Sequence, residues 1–153
     1  MSTTPRETAA VNVRIAETDA EIAACFDVMS ELRPHLVAGE FVRRVRRQQE
    51  IAGYELVFVE EAGRVRAVAG VRVSECLAWG RFMYVDDLVT AAGERSRGHG
   101  QSLFDWLLAH AARRGCAEFH LDSGVQRFGA HRFYLRNRMD IVAHHFGLRL
   151  KVN

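Results

Sequence analysis

Two periods run through the apolar positions of this chain. "VNVRI" (11–15) alternates apolar and polar residues, the mark of a half-buried strand. In "TDAEIAACFDVMSELR", Ile22, Cys25, Phe26, Met29 and Leu32 recur at helical spacing, with Thr18 or Asp19 as N-cap and Pro34 as the stop. "GEFVRRVRRQQEIAG" predicts a second helix, flanked by Gly39 and Gly53. "YELVFVE" is apolar on both faces and predicts a central strand. "EAGR" predicts a turn, after which "VRAVAGVRV" returns with Val65, Ala67, Ala69, Val71 and Val73 on one face.

The second half changes rhythm. "RFMYVDDLVT" predicts a strand, and "ERSRGHGQSLFDWLLAHAARRGC" a loop that runs into a long amphipathic helix. Leu103, Leu107 and Ala111 form the helix's apolar stripe, widened by Phe104 and Leu108. "AEFHLD" predicts a short strand, "RFGAHRFYLRN" a short helix and "DIVAHHFGLRL" a closing strand. Consecutive strands thus give way to alternating strands and helices, with no linker, repeat or low-complexity tract. The pattern is that of one mixed α/β domain.

Composition narrows the class. The 153 residues are 48% apolar and 26% charged, a globular mixture long enough for a sizeable core. A formal charge of +2 tolerates an anionic ligand without demanding nucleic acid. Cys25, Cys76 and Cys116 are odd in number and widely spaced, which argues against a disulfide framework or zinc site and for a cytoplasmic setting. No apolar run approaches the roughly 20 residues that span a bilayer. "MSTTPRETAA" (1–10) lacks the apolar core of a signal peptide and reads as a flexible tail.

The glycines of "RSRGHG" raise a chemical question. Helix N-termini leave backbone N–H groups unpartnered and partly positive, and phosphate binds there if no Cβ blocks it. Gly98 and Gly100 remove such side chains where "DDLVT" hands over to the helix, and Arg95 and Arg97 can add charge-assisted bonds. A plain turn with solvated arginines would look the same over six residues. No GK[ST] follows, so this is not a Walker loop, and the spacing is not that of a dinucleotide fingerprint.

A wider resemblance decides between these accounts. "RSRGHG" is similar to the R/Q-x-x-G-x-G/A signature of the GCN5-related N-acetyltransferase (GNAT) superfamily. "YVDDLV" resembles that family's fourth strand, "GCAEFHLDSG" its fifth, and "RFGAHRFYLRNRM" its A-x-x-F-Y-x-x-x-G-F helix, all in family order. The resemblance implies a single acyltransferase domain over 11–153. Its sheet would be mixed and mostly antiparallel, flanked by about four helices and splayed between strands 4 and 5. The pantetheine arm of acetyl-CoA would lie in that gap along Leu88, Val89 and Thr90. The pyrophosphate would sit on the amides of Arg97, Gly98, His99, Gly100, Gln101 and Ser102.

Direct acetyl transfer to an amine needs a neutral amine, a polarised carbonyl and a proton for the departing thiolate. Tyr134 matches the family's helix tyrosine, which implies the role of acid; a phenol near pKa 10 keeps its proton at pH 7. The resemblance makes a backbone amide near Val89 the carbonyl polariser. Asp86 and Asp87 are candidate bases, but strand alternation predicts that they point to opposite faces, so that at most one meets the cleft. Glu75 and a water chain are the other routes for the proton. Arg138-Met139 stands where the family often has Gly-Phe, and Arg127 departs from an asparagine that often precedes the helix alanine.

"RRVRR" (43–47) reads first as a solvated helix face rather than a nucleic-acid patch. Because the first two helices of such domains border the acceptor site, Arg43 and Arg44 would favour an acceptor with a carboxylate or phosphate. The histidines lack HxxxH or HExxH spacing, so no metal is expected. The reading is therefore an acetyl-CoA-dependent N-acetyltransferase acting on a small-molecule or peptide amine. Nucleic acid is disfavoured as a partner, no membrane is expected, and a homodimer is common for such domains. The alternative is a sensor of the same fold that binds acetyl-CoA without turnover.

Overall fold

The computed structural model describes residues 11–94 and 97–152. The tail read at 1–10 and Arg95 of the glycine stretch lie outside the described residues. Contacts divide the chain into two compact units, Met1–His120 and Leu121–Asn153.

In chain order the elements are β1 (Asn12–Ile15), α1 (Asp19–Ala24), α2 (Phe26–Leu32), α3 (Ala38–Ala52), β2 (Glu55–Glu61), β3 (Arg64–Cys76) and β4 (Gly80–Thr90). Then come a short 3₁₀ turn, α4 (His99–Arg113), β5 (Glu118–Leu121) and α5 (Phe128–Arg136). The five strands form an open mixed sheet in sequential order, antiparallel from β1 to β4 and parallel between β4 and β5.

Local chemistry accounts for most boundaries. Thr18 opens α1 with a reciprocal cap, its hydroxyl accepting from the Glu21 amide while Glu21 accepts from the Thr18 amide, both at 3.1 Å. The expected first helix is interrupted at Cys25, which ends α1 and begins α2; this makes five α-helices among the described residues rather than about four. Gly53 closes α3 in the left-handed region at φ 66°, its N–H returning to the Gln48 and Gln49 carbonyls. Ala62 and Gly63, at φ 52° and 72°, make the tight β2–β3 turn.

β2 is central, as its apolar run predicts, and Leu56 to Val59 are all at most 1% exposed. Leu56 and Phe58 join Ile22, Cys25, Met29, Phe41 and Val45 from the first three helices in one core. α4 packs on β2, β3 and β4 and buries Leu103, Phe104, Leu107 and Ala111. β3 departs from its one-faced expectation. Ala67 through Val71 are all buried, because α2 and α4 both pack on this strand and successive residues alternate between its faces.

In the second unit, the predicted closing strand at 140–150 does not form; residues 139–152 have no regular structure. Phe146, Leu148, Leu150 and Val152 do alternate like a strand, yet they are 79–94% exposed. Alternation fixes which side chains share a face, but a strand also needs a neighbour's backbone groups. Among the described residues no strand pairs with this segment.

Cys25 reports on the core directly. Burial pushes its thiol from 9.0 up to about 12, with Arg14 partly opposing. The folded chain holds that proton more tightly than the unfolded one. The associated stability is therefore complete below about pH 9 and declines as pH climbs toward 12. With iodoacetamide at pH 8, exposed Cys76 should alkylate while Cys25 resists until unfolding. Labelling of Cys25 at the rate of Cys76 in the native protein would contradict this packing.

Candidate active site

The register between β3 and β4 slips once. Val71 faces Val85 and Gly70 faces Asp87, so Asp86 is an extra residue opposite no partner. Such a bulge bends the strand and re-aims its side chains. The alternation expected of Asp86 and Asp87 is therefore broken, and both line one cavity of 640 Å³ with Arg33, Tyr54 and Arg72. The prediction that at most one of them meets the cleft is corrected by that single inserted residue.

The Asp86 carbonyl and both carboxylates find partners. Arg33, at the C-terminus of α2, donates from Nε to Asp87 Oδ1 (3.0 Å) and from Nη2 to the Asp86 carbonyl (2.8 Å). The Tyr54 hydroxyl donates to Asp87 Oδ2 (2.8 Å). Arg72 grips Asp86 with two bonds, at 2.6 and 2.9 Å. Tyr54 is 4% exposed, and burial followed by the Asp87 charge pushes its phenol well above 10. Gly70 makes room for it, since a Cβ there would overlap the Tyr54 ring.

Further along β4, the sheet opens. The Ala117 amide donates to the Arg81 carbonyl at 2.7 Å, so β5 starts level with the beginning of β4. β5 is only four residues long, and β4 continues past it through Leu88, Val89 and Thr90. These three pair on their other side with Ala69, Val68 and Ala67 of β3.

α4 begins beside that opening. Gly98 is its N-cap at φ 83°, a conformation that a Cβ would strain. Gly100 serves closeness instead, since a Cβ would stand 3.1 Å from Thr90 Oγ1. The Ser102 amide already donates to the Gly98 carbonyl at 3.0 Å. The amides left for an anion are thus those of the first turn, and of the expected six, Ser102 retains only its hydroxyl. The His99 imidazole is buried, with Nε2 at 2.5 Å from Glu61 Oε2 and Nδ1 unpartnered. That bond holds the Glu61 carboxyl below its ordinary value. Gln101 bonds Asp105 (2.9 Å), and Arg97 is exposed.

A protein-family model, "Acetyltransferase (GNAT) family", matches residues 21–138. The chain belongs to the GNAT acetyltransferase family. It is 34% identical over 114 residues to the "Uncharacterized N-acetyltransferase YhdJ" of Bacillus subtilis (strain 168), which covers 74% of this chain and 80% of that protein. Among solved structures, the aminoglycoside N-acetyltransferase AAC(6')-Iy in complex with CoA matches with TM-score 0.83 at 10% identity, over 97% of this chain and 99% of that one. Glucosamine-6-phosphate N-acetyltransferase from Arabidopsis thaliana matches with TM-score 0.74 at 19% identity, over 93% and 99%. Those two likenesses show the fold. Family membership makes this GNAT chain an acyl-CoA-dependent N-acetyltransferase.

Within the second unit of the GNAT chain, Tyr134 lies on α5, its ring 5.7 Å from Phe133 in an edge-on arrangement. Burial raises its phenol above 10, with Arg127 opposing. Arg138, where the family often has glycine, adopts φ +65°, the left-handed conformation that glycine takes without cost. Arg33, Tyr54 and Arg72 escaped the sequence analysis. A glycine inside a strand signals close approach, so Gly70 was the one available cue. Nothing local marks Arg33, which lies 54 positions from Asp87.

Gly70→Ala should therefore destabilise the fold by about 1–3 kcal/mol, the usual cost of overpacking, by driving Tyr54 from Asp87. Tyr54→Phe should cost a similar amount, about 1–3 kcal/mol, because it leaves the half-buried Asp87 carboxylate short of a donor. Their effects should be non-additive in urea unfolding, since both break one bond. Full additivity would separate Gly70 from that hydrogen bond.

Proposed function

We propose that this protein transfers an acetyl group from acetyl-CoA to a primary amine by direct attack, with the amine bound in the cavity beside Asp86 and Asp87. The bulge at Asp86 carries this reading. It turns two carboxylates into one cavity immediately before Leu88, Val89 and Thr90, where β4 outruns β5. Residues 11–153 act as one acyltransferase domain.

The pantetheine arm takes the free edge at Leu88–Thr90, and the pyrophosphate takes the first-turn amides at Gly98, His99, Gly100 and Gln101. Arg95, Arg97 and the Ser102 hydroxyl complete the cradle. The Val89 amide polarises the thioester carbonyl. The amine nitrogen attacks that carbon, a C–N bond forms and the C–S bond breaks. Tyr134 protonates the leaving thiolate, and the proton shed by the acylated nitrogen passes to water, from which Tyr134 is reprotonated. Its raised pKa supports this role, because the phenol stays protonated throughout the neutral range.

Asp86 and Asp87 each accept hydrogen bonds already but retain spare lone pairs. They draw in the ammonium form of the acceptor and pass its proton to water in the cavity. A volume of 640 Å³ suits a small molecule, which sets a small acceptor ahead of a peptide. The fold itself does not choose the acceptor, for solved structures that share it include an aminoglycoside N-acetyltransferase, a glucosamine-6-phosphate N-acetyltransferase and a ribosomal-protein-alanine N-acetyltransferase. Three free cysteines support a reducing, cytoplasmic setting.

Thiol release from acetyl-CoA across a panel of amines, with acetyl-CoA binding measured by calorimetry, tests the reading. Amine-dependent release is expected. Tyr134→Phe should lower kcat by about 100-fold, the scale of a lost general acid, while changing acetyl-CoA affinity little. Binding without release for any amine would replace the transferase with an acetyl-CoA sensor.

A further inference from the structure

The four arginines of "RRVRR" do not share one role. Arg43 lies 3.7 Å from Glu40, one turn back along α3. Arg46 grips Asp19 (2.8 and 3.0 Å) and donates to the Glu17 carbonyl (2.8 Å), tying α3 to the start of α1. Arg44 and Arg47 are exposed, and among the described residues neither has an ion pair or hydrogen bond. Both line the cavity that holds Asp86 and Asp87, whereas Arg43 and Arg46 do not.

The charges of the cavity do not balance. Four arginines and two aspartates line it, and Arg33 pairs with Asp87 while Arg72 pairs with Asp86. Two positive charges remain, both from α3 and one turn apart, where like charges repel. Met29, Leu36, Phe41, Val45 and Ile51 supply apolar wall beside them. Low-dielectric walls strengthen the field of those two guanidiniums on anything entering. Guanidinium forks bind carboxylate and phosphate oxygens in matched pairs of hydrogen bonds.

We infer that the acceptor is a small amine that also carries a carboxylate or phosphate, with its anion held by Arg44 and Arg47 and its amine directed to Asp86 and Asp87. The inference rests on the proposed acceptor cavity and names the chemistry admitted there. A polyamine meets the opposite field, since its second ammonium would face the two guanidiniums of Arg44 and Arg47. In this proposal the pair expected from sequence, Arg43 and Arg44, becomes Arg44 and Arg47, because Arg43 lies beside Glu40 and outside the cavity.

The test compares thiol release for four arms of similar size: a neutral monoamine, a polyamine, an amino carboxylate and an amino phosphate. The two anionic arms separate a carboxylate from a phosphate ligand. Either should exceed the neutral amine in kcat/KM by about 10-fold or more, the scale of one charge-assisted hydrogen bond. In Arg44→Gln/Arg47→Gln that ratio should collapse toward one, chiefly through KM. Arg43→Gln, an exposed arginine on the same helix outside the cavity, should preserve the ratio and controls for the fold. An equal ratio in wild type and the double variant, or a preference for the polyamine, overturns the inference and leaves acetyl transfer standing. Release with no amine at all overturns both.

Discussion

The bulge that leaves Asp86 opposite no residue of β3 forces a carbonyl and two carboxylates out of the sheet's regular pattern, and three separate elements compensate them. Arg33 arrives from α2, Tyr54 from the start of β2 and Arg72 from β3. A half-buried carboxylate or carbonyl without a partner is costly, so these donors stabilise the bulge. Gly70 belongs to the same constraint, because the space for Tyr54 is the space its missing side chain would fill. The presence of both carboxylates on the β4 side of the cavity follows from that one inserted residue.

The glycine stretch shows two uses of glycine within three residues. Gly98 permits a backbone angle, and Gly100 permits an approach to Thr90. The first makes the entry into α4, and the second brings the opening turn against the end of β4. His99, between them, turns inward to Glu61 and fixes the helix start to β2. The backbone groups of that turn are thus held in place by a buried histidine, beside the exposed Arg97.

Charge is distributed with similar economy along α3. A single run of arginines joins α1 through Arg46, satisfies Glu40 through Arg43 and faces the cavity through Arg44 and Arg47. Helical geometry makes this division possible, since neighbouring residues lie about 100° apart around the axis. The net charge of the chain is only +2, so the positive field at the cavity comes from placement rather than composition.

Local pattern determined much of this protein. The all-apolar run of β2, the caps at Thr18 and Gly53, the stripe of α4 and the glycines of its first turn are properties of neighbouring residues, and each predicts its element without knowledge of the fold. The family and the intact "AHRFY" around Tyr134 were legible for the same reason. Tertiary structure alone decided the rest. Strand alternation sets Asp86 against Asp87, and only pairing with β3 introduces the bulge that unites them. Alternation at 140–150 predicts a strand, yet a strand forms only where a neighbour offers backbone partners. The arginines of α3 look alike in sequence and differ in what faces them. Periodicity specifies which side chains travel together; the partner across the gap, often more than 30 residues away, specifies what they do.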